Sequence, residues 1–287
     1  MMAPNVNRFP DLAAVRARHA ALLAPNWRRR AGAVLVPAGL AALLLFSLAH
    51  LDFSPERIVS GLGRLGMIPR LMLPPNPGTW ERFGLFAYAL GETLAISLLG
   101  TLLAAVLAFP LSLAAARNVM ASGILRFLTR RSLDTLRGID TLVWALIWIK
   151  VVGLGPFAGV LAIMCSDLGG FGKLFSEAME ATDRKASEGV MSTGGSHLQA
   201  VRLGLIPQVL PVIASQMLYF FESNIRSATV IGIVGAGGIG SYMSELIKTD
   251  EWQQVAFLIL MLLVIVAMVD VISTRLRFAI IGDKPVV

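Results

Sequence analysis

Residues 31–51 contain no Asp, Glu, Lys or Arg, and they follow directly on Arg28-Arg29-Arg30. A bilayer core about 30 Å thick takes about 20 helical residues to cross. This stretch therefore has the length and polarity of a membrane span. The polar residues 1–30 ahead of it and the length of the apolar run argue for a retained span over a cleaved signal segment. The rest of the chain is built alike: 56% of its residues are hydrophobic and 15% charged, where a soluble domain carries about a quarter charged. That balance excludes a water-soluble globular fold and predicts an all-α, polytopic membrane bundle.

Further runs set the span count at about six. The second lies between Arg82 and Arg117, interrupted only by Glu92. It is longer than one crossing needs, which predicts an interfacial segment at 83–90 ahead of a span at 93–115. A third span begins near Ile139 and breaks at Gly153-Leu154-Gly155-Pro156, where Gly and Pro punctuate helices. The fourth covers about 157–179, the fifth 209–234 and the sixth 254–272. Lys150 can snorkel from the end of the third span. Asp167 and Glu177 in the fourth require a protected interior or a helix that outlasts the membrane.

The +7 formal charge orients the chain. Basic residues cluster before the first run, between the second and third, between the fourth and fifth, and after the sixth. Only Arg57, Arg64, Arg70, Arg82 and Lys248 fall in the alternate segments. The positive-inside rule then predicts cytoplasmic tails at 1–30 and 277–287, with a periplasmic loop and interfacial segment at 52–92. Charge placed between spans in this way points to no nucleic-acid partner.

The segment between the fourth and fifth spans is neither apolar enough to cross nor polar enough to be a flexible linker. Ser196 followed by Gln199 fits a capping box at a helix start, and Gly194-Gly195 suits a helix stop. Pro207 and Pro211 open the next span. The pattern predicts a helical knuckle over 181–207, read either as a partner-docking element or as an ordinary amphipathic connector. Glu222 and Arg226, four apart, share one helix face and offset part of each other's burial cost. They form either a structural ion pair or part of a path on which Arg226 meets an oxyanion.

The knuckle resembles that of the membrane-spanning permease subunits of binding-protein-dependent ABC importers. Those subunits carry Glu-Ala-Ala, three residues, Gly, nine residues, then Ile-x-Leu-Pro. Glu188 and Gly194 have that spacing, nine residues follow, and Gly204-Leu205-Ile206-Pro207 closes the motif, with Gly189, Val190 and Gly204 as departures. Several stretches are similar to the phosphonate branch: Val152-Gly-Leu-Gly-Pro-Phe157, Gly172-Lys-Leu-Phe-Ser-Glu177, Phe221-Glu-Ser-Asn-Ile-Arg226 and Ile231-Gly-Ile-Val-Gly-Ala-Gly-Gly-Ile-Gly240.

The resemblance implies a type I importer fold with a permease core at 93–276. It implies an ATPase-coupling loop containing Glu188, Gly194, Gly195, Gly204 and Pro207. The implied partners are a second copy of the chain, two ATPase subunits holding ATP and Mg, and an extracytoplasmic phosphonate-binding protein. The implied cargo is a phosphonate, phosphite or related tetrahedral oxyanion.

Gly235, Gly237, Gly238 and Gly240 satisfy G-x-G-x-x-G, but that fingerprint has force only inside a βαβ unit. After an apolar helix these glycines suit a gate with flexible or closely packed backbone. No Walker A sequence, H-E-x-x-H, C-x-x-C or G-x-S-x-G occurs, which predicts a chain with no catalytic chemistry and no cofactor of its own. Cys165 stands alone in an apolar stretch. Glu92 and Asp270 are expected at interfaces, and Asp140 at a helix start. The competing classes are an ion-coupled secondary transporter, for which no internal repeat is found, and a membrane enzyme, for which no polar cluster is found.

Overall fold

The computed structural model describes residues 27–51 and 55–281. Most of the expected tail at 1–30, and the end of the tail at 277–287, lie outside the described residues. Among the described residues every regular element is a helix. They fall into two units, one through Met67 and one from Ile68. The first unit holds α1 (Trp27–His50) and the short α2 (Pro55–Leu65). Residues Ala31–His50 of α1 have a mean hydropathy of 2.2, enough to cross a membrane.

α3 (Met67–Leu71) begins at the boundary, and the second unit goes on with α4 (Trp80–Ala115), α5 (Gly123–Arg137), α6 (Thr141–Val152) and α7 (Pro156–Glu180). It continues with α8 (Lys185–Ser192), α9 (His197–Gln199), a π-helical turn at Ala200–Leu205, α10 (Ile206–Ile233), α11 (Ile239–Lys248) and α12 (Trp252–Ile281). Five helices are long and apolar enough to span: those at Ala31–His50, Trp80–Ala115, Pro156–Glu180, His197–Ile233 and Trp252–Ile280.

One expectation is corrected here. The stretch 83–90 is no separate segment, because α4 runs unbroken from Trp80. Thr79 caps it, its hydroxyl accepting from Arg82 N at 3.3 Å, and no proline interrupts it before Pro110. In an apolar medium a backbone without breakers keeps its hydrogen bonds by staying helical. α6 lies within the bounds expected for the third span. α6 has 12 residues, about 18 Å at 1.5 Å per residue, and α5 precedes it as an amphipathic helix that the sequence reading left unassigned. Asp140 does start α6, accepting from Leu142 N at 2.8 Å, and Gly153 ends it at φ 92°.

The packing of α4 shows how a uniformly apolar helix acquires an inside. Its buried positions include Ala89, Thr93, Ser97, Gly100, Ala104, Ala108 and Ser112, a row of small side chains at helical spacing. Leu98, Leu99, Leu102, Leu103, Val106 and Leu107 are exposed. Lipid gives no reason to hide leucine, so the close contacts go to small residues that let backbones approach. At Gly100 an added Cβ would stand 2.7 Å from Ile163 of α7. Below this contact Phe171 and Phe175 join Val209 and Ile213 in a core, with the Phe171 and Phe220 rings 4.4 Å apart.

Gly240 makes the tightest such approach, where a Cβ would lie 2.0 Å from Thr229 O and 2.9 Å from Gly232 Cα. Both neighbours are backbone and cannot rotate away. Gly240→Ala is expected to cost about 3 kcal/mol or more, the upper end of overpacking penalties. A thermal unfolding midpoint in detergent that matches wild type would contradict this contact.

Candidate functional site

The expected coupling residues come together at one end of the second unit. α8 ends at Thr193, and Gly194 turns the chain at φ 85°. Gly195 N donates to Val190 O and Gly194 N to Met191 O, both at 3.1 Å. This is the Schellman pattern that satisfies a helix's last carbonyls. The next turn begins with the capping box: Ser196 N donates to Gln199 Oε1 at 2.7 Å and Gln199 N to Ser196 Oγ at 3.4 Å. The second short helix is not free-standing. It passes through the π-turn into α10, with Pro207 in the first turn.

Gly204, where the motif has Ile, packs α8 against the π-turn, since a Cβ there would stand 2.8 Å from Ser187 Cα. Glu188 is exposed in the first turn of α8, beside a cavity of about 330 Å³ that Arg117, Arg184, Met191 and His197 also line. The knuckle therefore presents Glu188 and the exposed apolar side chains Met191, Leu198 and Leu203 around a turn that is capped on both sides.

The residues expected on a translocation path divide into two groups. Glu222 and Arg226 lie within α10, with Arg226 Nη1 3.2 Å from Glu222 Oε1. The glutamate side chain is 14% exposed and the arginine 51%. Arg277 joins them, its Nη2 3.8 Å from Glu222 Oε2 and 4.0 Å from Asp270 Oδ1. Arg277 is helical, because α12 continues to Ile281, and Asp270 lies on the same helix, near Arg277. The apolar Phe278-Ala-Ile-Ile281 after Arg277 was the signal that the helix goes on.

Gly235, Gly237, Gly238 and Gly240 form the second group, in the loop and helix start that follow α10, with Gly240 turned back against Thr229 and Gly232. Gly235, Gly237 and Gly238 all have positive φ. Their loop is fastened to the α6–α7 corner by Gly155 N donating to Gly235 O at 2.9 Å. Thr93 of α4 fastens it too, its Oγ1 accepting from Ile239 N at 2.8 Å. Glu92 is partly buried and faces a cavity of about 480 Å³ with Tyr242 and Glu245.

A third polar group escaped the sequence reading. Asn224 Nδ2 donates to Asp167 Oδ2 at 2.5 Å and to Thr101 Oγ1 at 2.8 Å. All three are buried. They tie α4, α7 and α10 together and supply the protected interior that Asp167 requires. A lone amide at mid-span is costly without partners, which is the signal Asn224 offered.

Residues 108–281 match the family of binding-protein-dependent transport system inner membrane components. The chain belongs to this family. The permease is also 38% identical, over 80% of each chain, to HtxC, a candidate phosphite transport system permease protein of Stutzerimonas stutzeri. It is 32% identical, over 88% of its length and 90% of the relative's, to the phosphite transport system permease protein PtxC of the same organism. Its fold is that of type I ABC importer permeases. An inward-facing MetNI methionine ABC transporter superposes with a TM-score of 0.63 at 17% identity, over 71% of this chain and 99% of that one. The protein is accordingly a multi-pass inner-membrane permease subunit, and an ion-coupled transporter without an ATPase is not favoured.

Proposed function

We propose that this permease passes phosphite, phosphonate or a related tetrahedral oxyanion, driven by ATP that a partner subunit hydrolyses. The observation that carries the reading is the half-exposed Arg226, set within the spanning helix α10 beside an inward-turned Glu222. A guanidinium facing lipid at that depth is costly, so an exposed one belongs against water, substrate or a partner helix. Glu222 serves both Arg226 and Arg277, and Asp270 also faces Arg277, so the four groups balance in charge and Arg226 is the member whose guanidinium stays half-exposed. A planar guanidinium suits a passing oxyanion, and its pairing with Glu222 keeps that contact transient. The names of HtxC and PtxC support the same substrate class.

In this reading both termini are cytoplasmic. A second copy completes the path between the two α10 helices, and the Glu188 knuckle seats in one of two ATPase subunits that hold ATP and Mg. An extracytoplasmic binding protein delivers the anion to the glycine-rich gate. The permease itself holds no cofactor and performs no chemistry.

The test is reconstitution of the permease with its ATPase and binding protein in proteoliposomes. Uptake of labelled phosphite or methylphosphonate that requires ATP in the ATPase compartment is the expected result. Uptake driven by a proton or sodium gradient without ATP would sink the reading.

A further inference from the structure

One carboxylate ties the end of α7, just ahead of the knuckle, to the α4–α5 turn. Glu180, the last residue of α7, accepts at Oε1 from Arg117 N at 2.7 Å and from Arg130 Nη2 at 2.5 Å. Arg130 Nε donates in turn to Ala115 O at 2.9 Å, on the final turn of α4. Asn118 Nδ2 and Thr182 Oγ1 both donate to Met179 O at 2.7 Å. Three elements therefore meet at Glu180: the end of α4, the middle of α5 and the end of α7. Five residues further on α8 begins. On the other side of the knuckle, Gln208 Nε2 donates to Gly204 O at 2.5 Å and to Asp183 O at 3.4 Å.

The residue type is informative. A carboxylate at a helix C-terminus opposes the macrodipole, where Lys or Arg would be favourable. Simple stabilisation of α7 would place a cation there. Glu180 instead offsets that unfavourable position with two charge-assisted donors from other elements, and its side chain is 24% exposed beside an Arg130 that is 30% exposed.

We infer that Glu180 is the coupling clamp of this permease, the positioning residue that holds the α4–α5 turn to the knuckle end of α7. The inference rests on the importer reading above. A push on α8 reaches α7 through the backbone of residues 181–184. It reaches α4 through apolar packing of Ala104, Ala105 and Ala108 with Phe171, Phe175, Val201 and Leu205, and at the end of α4 through the polar contacts of Glu180 and Asn118. With the clamp intact, the knuckle carries the α4–α5 turn along with α7, and α4 and α7 frame the gate loop through Thr93 and Gly155. With the clamp open, the α4–α5 turn slips against α7 while ATP hydrolysis moves the knuckle.

The experiment uses the full complex of permease, ATPase and binding protein, and reads anion transported per ATP hydrolysed. Glu180→Gln keeps an acceptor for Arg117 N and loses the charge that holds Arg130. It is expected to lower that ratio about tenfold, the scale of one charge-assisted hydrogen bond, with ATPase association unchanged. Arg130→Gln should reproduce the effect, and Glu180→Arg combined with Arg130→Glu should recover part of it. A Glu180→Gln complex with the wild-type ratio overturns the inference. So does a loss of transport and ATPase activity in proportion, with the permease dissociated, since that is the mark of a merely structural residue. A wild-type complex whose ATPase ignores every loaded binding protein is a different failure, in which the importer reading falls and the clamp falls with it.

Discussion

Glu188→Arg is expected to leave the permease folded and inserted while removing the ATPase from it. The carboxylate sits in the first turn of α8, is exposed, and takes part in no ion pair or side-chain hydrogen bond among the described residues. Reversing its charge there forfeits the helix-dipole interaction, about 0.3–1 kcal/mol, too little to melt a knuckle held by a Schellman turn and a capping box. At a docked surface the same reversal sets a buried cation against groups arranged for an anion. Penalties for a mismatched charge pair at an interface run to about 2–5 kcal/mol, so association should weaken about 100-fold or more. Co-purification from mild detergent, with the ATPase co-expressed, reads this directly. Wild-type permease should carry the ATPase in equal amount and Glu188→Arg should carry almost none. If the variant retains its ATPase and transports normally, the knuckle is an ordinary connector and the docking contact lies elsewhere.

The knuckle and the membrane charges also mark where sequence legibility ends. The turn at Gly194, the capping box at Ser196 and the break at Gly153 were readable because each is settled by hydrogen bonds within about six residues. A local conformation leaves a local trace. The spans were readable for a different reason, the thickness of the solvent they cross. The size of a span's neighbours was not. In water an amphipathic pattern reveals which face is buried, but α4 is apolar all round, and its buried face differs from its lipid face only in being lined by Ala, Ser, Thr and Gly. Hydropathy does not register that difference, so it located α4 without orienting it, and it overlooked α5, whose arginines read as loop.

Pairings between distant residues were hidden most completely. Asn224 meets Asp167 across 57 positions, Arg130 meets Glu180 across 50, and Arg277 reaches Glu222 from α12. Asp167 was conspicuous alone, as a carboxylate in an apolar stretch; Glu222 already had Arg226 beside it, and Arg130 and Glu180 sat among other charges where nothing marked them. What the sequence withheld was the helix crossing that supplies the partner. The family resemblance drew attention to the knuckle but carried nothing about these three pairings, which belong to how this chain's helices pack.

Arg226 is where the remaining functional question can be decided, because its two readings differ in what rescues it. Arg226→Gln alone leaves Glu222 with Arg277 at 3.8 Å as its nearest cation. Either reading predicts a defect: a structural pair loses a partner, and a path loses its guanidinium. Removing one donor that meets developing or passing negative charge in a dry site costs about 2.7–4 kcal/mol in enzymes. A maximal uptake rate reduced about 100-fold is therefore the expected result on the path reading, with binding-protein affinity and ATPase assembly unaltered. Glu222→Gln combined with Arg226→Gln separates the two. Replacing both members of an ion pair together removes the uncompensated charge that makes single changes destabilising. If the pair were only structural, the double variant should regain thermal stability and transport together. On the path reading it regains stability and stays slow, because no guanidinium projects from α10 and Arg277 approaches from α12 without it. Arg226→Lys supplies a graded control, keeping the charge but losing the planar fork, and should fall between wild type and Gln. Recovery of full uptake in the double variant would place the anion's path away from this face of α10 and leave Arg226 as packing between helices.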